Sequence, residues 1–374
     1  MDTTIESKEK MKNIAFFIGS GFTKAVVETA PLGNEFFIKA FDPKNGIDHE
    51  TQIESVKNFI EKIYYPFKHE SDKLYPNIED VLSLIDYAIQ KNEALSKDYL
   101  LDDIISVRND LIYLIGKVIQ NIETASDGVR NLGISRDFTG KLQKLLQYSY
   151  VSIISTNYDL IIDNALLEKA QSCDYGVNLR YNLTAENDRA NGITDWYFKS
   201  STGKINEGKI PLLKIHGSLN WFYCPKCDEM DITISEKGII QYLESRSRFF
   251  CTNPYCTSNY EPLLVTPTML KVYDNPFLQQ LWALAEKKIS EANALVFIGY
   301  SLTEADYHIR SLLTKALANN KNGKISIIVV TKHSETKTKY KQLFGKDRVN
   351  FQPIGLEGFL ERWDDFFKQD EVNS

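Results

Sequence analysis

Six short apolar runs punctuate the chain: NIAFFI (13–18), VSII (151–154), PLLKI (211–215), LLV (263–265), LVFI (295–298) and ISIIVV (325–330). Several lack polar alternation and are rich in Ile and Val, the pattern of strands covered on both faces in a parallel sheet. Helical patterns lie between some of them. In DNPFLQQLWALAEKKISEA, Asp274 or Asn275 can cap a helix with Pro276 in its first turn, and Phe277, Leu281, Leu284 and Ala285 recur on one stripe. TEADYHIRSLLTKALANN repeats the pattern from a Thr303 cap, with Ile309, Leu312, Leu313, Ala316 and Leu317 on one face. Strands alternating with helices predict the α/β class and a Rossmann-like, doubly wound parallel sheet.

Two stretches interrupt that alternation. Residues 50–148 carry little strand signal but hold PNIEDVLSLIDYAI, with Val81, Leu84, Ile85 and Ala88 on one stripe, and LDDIISVRNDLIYLIGKVIQNI. This predicts a helical insertion after the first strand-helix unit, covering the core or offering a surface for self-assembly. Residues 217–262 contain Cys224, Cys227, Cys251 and Cys256, spaced as C-x2-C, 23 residues, then C-x4-C. Two such knuckles can present four thiolates tetrahedrally, so the segment reads as a four-cysteine zinc-ribbon insertion around structural Zn2+. The expected organisation is a discontinuous core domain over 11–335, interrupted by 50–148 and 217–262, with a tail over 336–374 that turns helical at GLEGFLERWDDFF.

Composition narrows the class. With 374 residues, 43% of them hydrophobic and 12% aromatic, the chain can bury a sizeable core. The net charge of -6 gives no general attraction for nucleic acid. Within the ribbon, Lys226, Lys237, Arg246 and Arg248 are offset by Asp228, Glu229, Asp231 and Glu236, so no basic stripe forms. The first twelve residues are polar and charged, and no apolar run approaches the ~20 residues that span a bilayer. These features predict a soluble, cytoplasmic protein. An odd cysteine count in a leaderless chain argues against a disulfide scaffold, and Cys173 is left as a packing residue.

The candidate chemistry lies where strands end. FFIGSGFTKAV (16–26) runs from a strand through Gly19-Ser20-Gly21 into a helix. Glycines there let backbone approach a phosphate at a helix N-terminus, although Lys24 replaces the third fingerprint glycine and the same turn also serves a plain strand-helix connection. IISTNYDLIIDNAL (153–166) ends a strand in polar residues that would face a ligand cleft, or in which Ser155, Thr156 or Asn157 caps the next helix. LLKIHGS (212–218) ends a third strand in His216, with Gly217 leaving room beside it. Four cysteines complete a closed zinc site, which frees His216 for other work. ANALVFIGYSLTEAD (292–306) ends a fourth strand in Gly299-Tyr300-Ser301; Asp306 reads as a helix start and His308 as a surface or interface residue.

In this order the motifs resemble the sirtuin superfamily, and specifically its bacterial SIR2-like branch. On that resemblance, Gly19, Ser20, Gly21, Phe22 and Thr23 match the glycine-rich NAD loop, and Thr156, Asn157 and Asp159 belong to the Gln-Asn-Ile-Asp-type motif. His216 matches the catalytic histidine, Gly299 and Ser301 the ribose loop, and the four cysteines the zinc module. The resemblance implies NAD+ as substrate, with Asn157 and His216 catalytic. Where protein-deacylating sirtuins carry Pro-Asp-Phe-Arg, this chain has KAVVETAPLGNEFF. That departure, the helical insertion and the Thr-Asn-Tyr-Asp motif resemble the branch associated with antiviral NAD depletion.

The activity so implied is NAD+ hydrolysis to nicotinamide and ADP-ribose, restrained by assembly into a homo-oligomer or by a partner such as an ATPase or Argonaute-like protein. An NAD-dependent deacylase or ADP-ribosyltransferase, and a non-catalytic NAD or ADP-ribose sensor, are the competing readings. Bond chemistry favours hydrolysis on its own terms. The nicotinamide of NAD+ is already a cationic leaving group, so the site needs only to stabilise an oxocarbenium-like ribose and to position a nucleophile. An imidazole of ordinary pKa near ~6.5 can take a proton at neutral pH. An amide such as Asn157 can hold ribose hydroxyls or water without adding charge, and Asp159 can face the carboxamide or the developing positive charge.

Overall fold

The computed structural model describes residues 11–45, 50–65, 75–123, 131–168, 173–177, 179–182, 209–232, 250–251, 253–266, 275–303, 306–320, 322–323 and 325–367. Its strands are β1 (Lys12–Ile18), β2 (Ser149–Ser155), β3 (Cys173–Asp174), β4 (Leu179–Asn182), β5 (Ile210–Lys214), β6 (Gly217–Cys224), β7 (Glu229–Ile232), β8 (Glu261–Leu264), β9 (Ala294–Ile298), β10 (Ser326–Val330) and β11 (Val349–Gln352). Seven of them form a sheet in the order β11-β10-β9-β1-β2-β5-β3. Every pairing in that sheet is parallel. This is the Rossmann-like architecture expected from the alternating pattern.

β1 lies between β2 and β9, and its residues from Ile14 to Ile18 are all buried. Alternation of side chains explains how both faces are filled. Phe16 packs on Phe138, Trp363 and Phe367, while its neighbour Phe17 packs on Phe297 and Tyr300. Phe297 in turn meets Tyr340 and Phe344. Residues beyond 335 therefore do more than form a helical tail. They supply the edge strand β11 and two of the aromatics packed on Phe16.

Five of the six apolar runs enter the parallel sheet. The sixth, LLV, does not. It forms the end of β8, which pairs antiparallel with β6 in a separate sheet ordered β4-β7-β6-β8. An apolar run reports burial, but the strand beside it is chosen by the fold. The edge strands β3 and β11, the antiparallel strand β6 and the mixed strand β7 were not read from the sequence pattern.

Helices α1 (Ser20–Val26) and α2 (Phe36–Ala40) follow β1. α3 (Glu50–Tyr64), α4 (Ile78–Lys91), α5 (Leu101–Glu123) and α6 (Leu132–Leu145) occupy the stretch before β2, and α7 (Ile161–Glu168) follows β2. Asn77 caps α4 by accepting from the Glu79 N–H at 2.9 Å. α4 is clamped to α5 by the Arg108–Asp86 ion pair at 2.6 Å, and Asp86 also accepts from Thr266 Oγ1 at 3.2 Å, just beyond β8. The helix Pro276–Glu291 begins as its sequence predicts, with Asn275 Oδ1 accepting from the Phe277 and Leu278 N–H groups. The next helix starts at Tyr307, later than the Thr303 cap implied. Glu304 and Ala305 lie outside the described residues, as does the interior of the ribbon over 233–249. Among the described residues no helix is long and apolar enough to cross a membrane.

Candidate functional site

The carboxyl ends of β9, β1, β2 and β5, neighbours in the sheet, open onto one cavity of about 210 Å³. Ligands of open parallel sheets collect at this end, where loops diverge to opposite faces. Ser20 and Thr23 enter from α1, Thr156 through Asp159 from the end of β2, His216 from the turn after β5, and Tyr300, Ser301, Thr303 and Asp306 from beyond β9. Most of the remaining lining is apolar: Ile78 of α4 and Ile115, Val118, Ile119 and Ile122 of α5 come from the stretch 50–148, where Glu79 is the one carboxylate, and Phe36 comes from α2. The helices of the stretch 50–148 thus supply one wall of the site, a place the sequence alone did not assign to them.

Of the residues picked out by sequence, Ser20, Thr23, Thr156, Asn157, Asp159, His216 and Ser301 line this cavity. Gly19, Gly21, Phe22 and Gly299 form the joint beneath it. The Gly19 N–H donates to Ile298 O at 3.0 Å and the Gly21 N–H to Gly299 O at 2.8 Å. A Cβ on Gly21 would lie 2.7 Å from Gly299 Cα, and one on Gly299, whose φ is +61°, would lie 2.4 Å from Gly21 C. These glycines let two backbone loops touch. The Gly21 N–H is consumed by that contact, so phosphate approach is not what demands glycine there. Phe22 is buried and packs edge-on against Phe138.

Gly217 has a similar explanation. Its φ is +80°, and a Cβ would fall 2.0 Å from the Leu263 carbonyl oxygen of β8. The room beside His216 is filled by β8 rather than by a ligand. Gly217→Ala is expected to destabilise the fold by about 1–3 kcal/mol, the usual cost of such backbone strain. A urea midpoint equal to that of the wild type would contradict this.

At the centre, Asn157 is 8% exposed and Asp159 5%. Asn157 Nδ2 donates both of its protons within the protein, to Gly19 O and to Thr23 Oγ1, each at 3.0 Å. Thr23 Oγ1 passes its own proton to Asp159 Oδ2 at 2.6 Å, and Asp159 Oδ1 accepts from the Ile161 N–H at 3.1 Å. With both amide protons committed, only Oδ1 of Asn157 can serve a ligand, and it can only accept. Burial raises the Asp159 carboxyl above its ordinary range, against the opposing pull of Lys214 and the Thr23 hydroxyl. The three carboxylates of the lining are Glu79, Asp159 and Asp306, and among its described residues there is no Lys or Arg.

His216 is 5% exposed, and its ring lies 6.4 Å from that of Tyr158. One residue fixes both. Val265 N–H donates to His216 O at 2.9 Å, and Val265 O accepts from the Tyr158 hydroxyl. Burial drives the Tyr158 hydroxyl's pKa far upward, so it stays protonated as a donor. Beyond β9 the backbone turns through Leu302 at φ +53°, and Tyr300 donates to Asp306 Oδ2 at 2.7 Å. Asp306 stands at the N-cap position of the next helix, in keeping with its reading as a helix start, but its side chain makes no capping hydrogen bond and instead accepts from Tyr300.

Sequence reasoning missed a buried ionic cluster directly under the site. Lys214, the last residue of β5, is fully buried and ion-paired with Asp163 of α7 at 3.1 Å. The signal was a lysine inside an otherwise apolar strand, which needs a buried partner.

The cysteines form a second centre, apart from His216. The Sγ atoms of Cys224, Cys227, Cys251 and Cys256 all lie within 4.8 Å of one another. Cys224 and Cys256 are 3.7 Å apart, and Cys227 and Cys251 are 3.9 Å apart. Tetrahedral Zn–S bonds of ~2.3 Å require S···S separations of ~3.8 Å, so the four sulfurs could hold a zinc ion. Backbone donors reach two of the sulfurs, although burial still raises the Cys251 thiol and the Cys256 sulfur beside it pushes Cys227 up to about 12. Asn253 N–H donates to Cys251 Sγ at 3.5 Å and Ser258 N–H to Cys256 Sγ at 3.4 Å, the latter bringing the Cys256 thiol down to about 7.

Comparison with known proteins adds a family to this geometry. No curated protein matches the chain. A Sir2 crystal structure in complex with the inhibitor EX-527, 2'-O-acetyl-ADP-ribose and a deacetylated peptide is similar at 13% identity and a TM-score of 0.40, over 94% of this chain and 92% of that one. A second structure, described as bearing on the mechanism and regulation of Sir2 enzymes, is similar at 12% identity and a TM-score of 0.37, over 95% of this chain and 93% of that one. Likeness at that level decides nothing further. Residues 151–350, more than half of the chain, match the SIR2-like domain and take in most of β2, the Asn157 loop, the His216 turn, the cysteines and the Ser301 loop. The chain belongs to the SIR2-like domain family.

Proposed function

We propose that the chain is an NAD+ glycohydrolase, which splits the nicotinamide–ribose bond with water to give nicotinamide, ADP-ribose and a proton. The observation that carries this reading is the convergence of Asn157 and His216, 59 positions apart in the sequence, on one cavity at the strand ends. Asn157 Oδ1 accepts from a ribose hydroxyl or from the attacking water, and the imidazole of His216 takes the proton released by attack. A lining with three carboxylates and no described Lys or Arg suits a cationic pyridinium and the positive charge that grows at the anomeric carbon. The apolar wall from α4 and α5 places a low-dielectric surface beside these groups, which strengthens each of these contacts. Family membership supports NAD-related chemistry; hydrolysis is the step we add. By resemblance, the activity serves antiviral NAD depletion and is restrained by self-assembly or by a separate ATPase or Argonaute-like partner.

Chromatography of purified protein incubated with NAD+, alone and with the product of its neighbouring gene, tests this directly. Equimolar nicotinamide and ADP-ribose are expected. Formation of O-acetyl-ADP-ribose only when an acetylated peptide is added would make the protein a deacylase, and NAD+ binding without nicotinamide release would make it a sensor.

A further inference from the structure

Beneath the cavity floor, Lys214 Nζ has three acceptors for its three protons. They are Asp159 O at 2.6 Å, Ser218 Oγ at 2.7 Å and Asp163 Oδ2 at 3.1 Å. The other oxygen of Asp163 accepts from the Tyr175 hydroxyl. Lys214 and Asp163 have side chains 0% and 3% exposed, so the ammonium meets no water and its full hydrogen-bonding capacity is spent on these groups. The acceptors belong to three different pieces of chain: the loop that carries Asn157, the start of α7, and the strand that leaves His216. Two backbone bonds run parallel to them, from Ile215 N–H to Ser155 O at 3.0 Å and from Leu219 N–H to Tyr158 O at 3.1 Å.

A buried ion pair is a poor way to gain stability, because desolvating both charges offsets most of their attraction. What it supplies is a defined geometry. A carbonyl oxygen held at 2.6 Å by an ammonium with no freedom to rotate fixes the loop from Thr156 to Leu160 against the turn that carries His216. We propose that Lys214 is a positioning residue, which sets Asn157 and Asp159 against His216 across the cavity. The inference rests on the catalytic reading of that cavity, since positioning matters only if the two side chains act together.

The test uses the full chain and two variants. Lys214→Met alone would strand the Asp163 charge, so it is combined with Asp163→Asn, which keeps an acceptor for Tyr175 and removes both charges of the pair. Ser218→Ala removes a single acceptor and serves if the double variant does not fold. Amide hydrogen exchange is followed for the segment 155–161, together with kcat and KM for NAD+. In the double variant we expect exchange there to quicken about ten-fold while the central strands stay protected. We expect kcat to fall about 10²-fold with KM within about two-fold, the signature of misplaced reacting groups rather than lost binding. The same changes, smaller, are expected in Ser218→Ala. Unchanged exchange in a folded variant, or unchanged kcat in one derived from an active enzyme, overturns the proposal. If the wild-type protein releases no nicotinamide, the glycohydrolase reading fails, and loop exchange alone still decides whether Lys214 holds the loop.

Discussion

Truncating His216 to alanine is expected to slow nicotinamide release from NAD+ by about 10²–10⁴-fold, the usual yield of a positioned proton acceptor. The position suits the test. The backbone of His216 is held by Val265, and the imidazole lies in the cavity rather than in the sulfur cluster, so the variant should keep both its fold and its metal. The loss should therefore appear at unchanged thermal midpoint and unchanged zinc content. Asn157→Ala should bring a loss of similar size, but it also removes the ties to Gly19 and Thr23, so its stability has to be measured alongside. Chromatographic quantification of nicotinamide settles both. Near-wild-type rates in the two variants would remove these residues from the chemistry and leave the cavity as a binding site only.

The second large effect concerns the sulfur cluster. Stripping metal with a chelator is expected to unfold the sheet of β6, β7 and β8 and to abolish cleavage, since four-thiolate sites contribute roughly 10–16 kcal/mol to the folding of such modules. The consequence should reach the cavity. β6 runs without interruption from Gly217, beside His216, to Cys224 of the sulfur cluster, and the chain leaving β8 supplies the Val265 that holds His216 and Tyr158. Four thiolates leave no open coordination position for water, so no direct chemistry is assigned to the metal. Elemental analysis should find one zinc per chain, and circular dichroism with an activity assay should report their joint loss on chelation. A protein that gives up its metal yet keeps its thermal midpoint and turnover would defeat this account.

Much of the frame was legible because its causes are local. Buried parallel strands have to be apolar on both faces, so NIAFFI, VSII, LVFI and ISIIVV announced the centre of the sheet. The Asn275–Pro276 start of a helix and the C-x2-C and C-x4-C knuckles follow from hydrogen-bonding and ligand geometry within a few residues. Edge strands escaped notice. A two-residue strand such as Cys173–Asp174 has no period to detect, and LLV could not show whether its neighbour would be a parallel or an antiparallel strand.

At the candidate site, the amino-acid sequence by itself supplied the candidates: polar residues at four strand ends, a histidine apart from the cysteines, and four cysteines spaced as zinc ligands are. Only the tertiary structure decided how they are used. It set Gly21 against Gly299, Gly217 against Leu263, both amide protons of Asn157 against the glycine loop and Thr23, and helices of the stretch 50–148 along one wall of the cavity. It also joined Lys214 to Asp163, 51 residues away, under the loop they hold. The physical reason is that propensity, capping and metal spacing act over a few residues, whereas the acceptor a buried donor will meet depends on which distant segment the fold packs beside it.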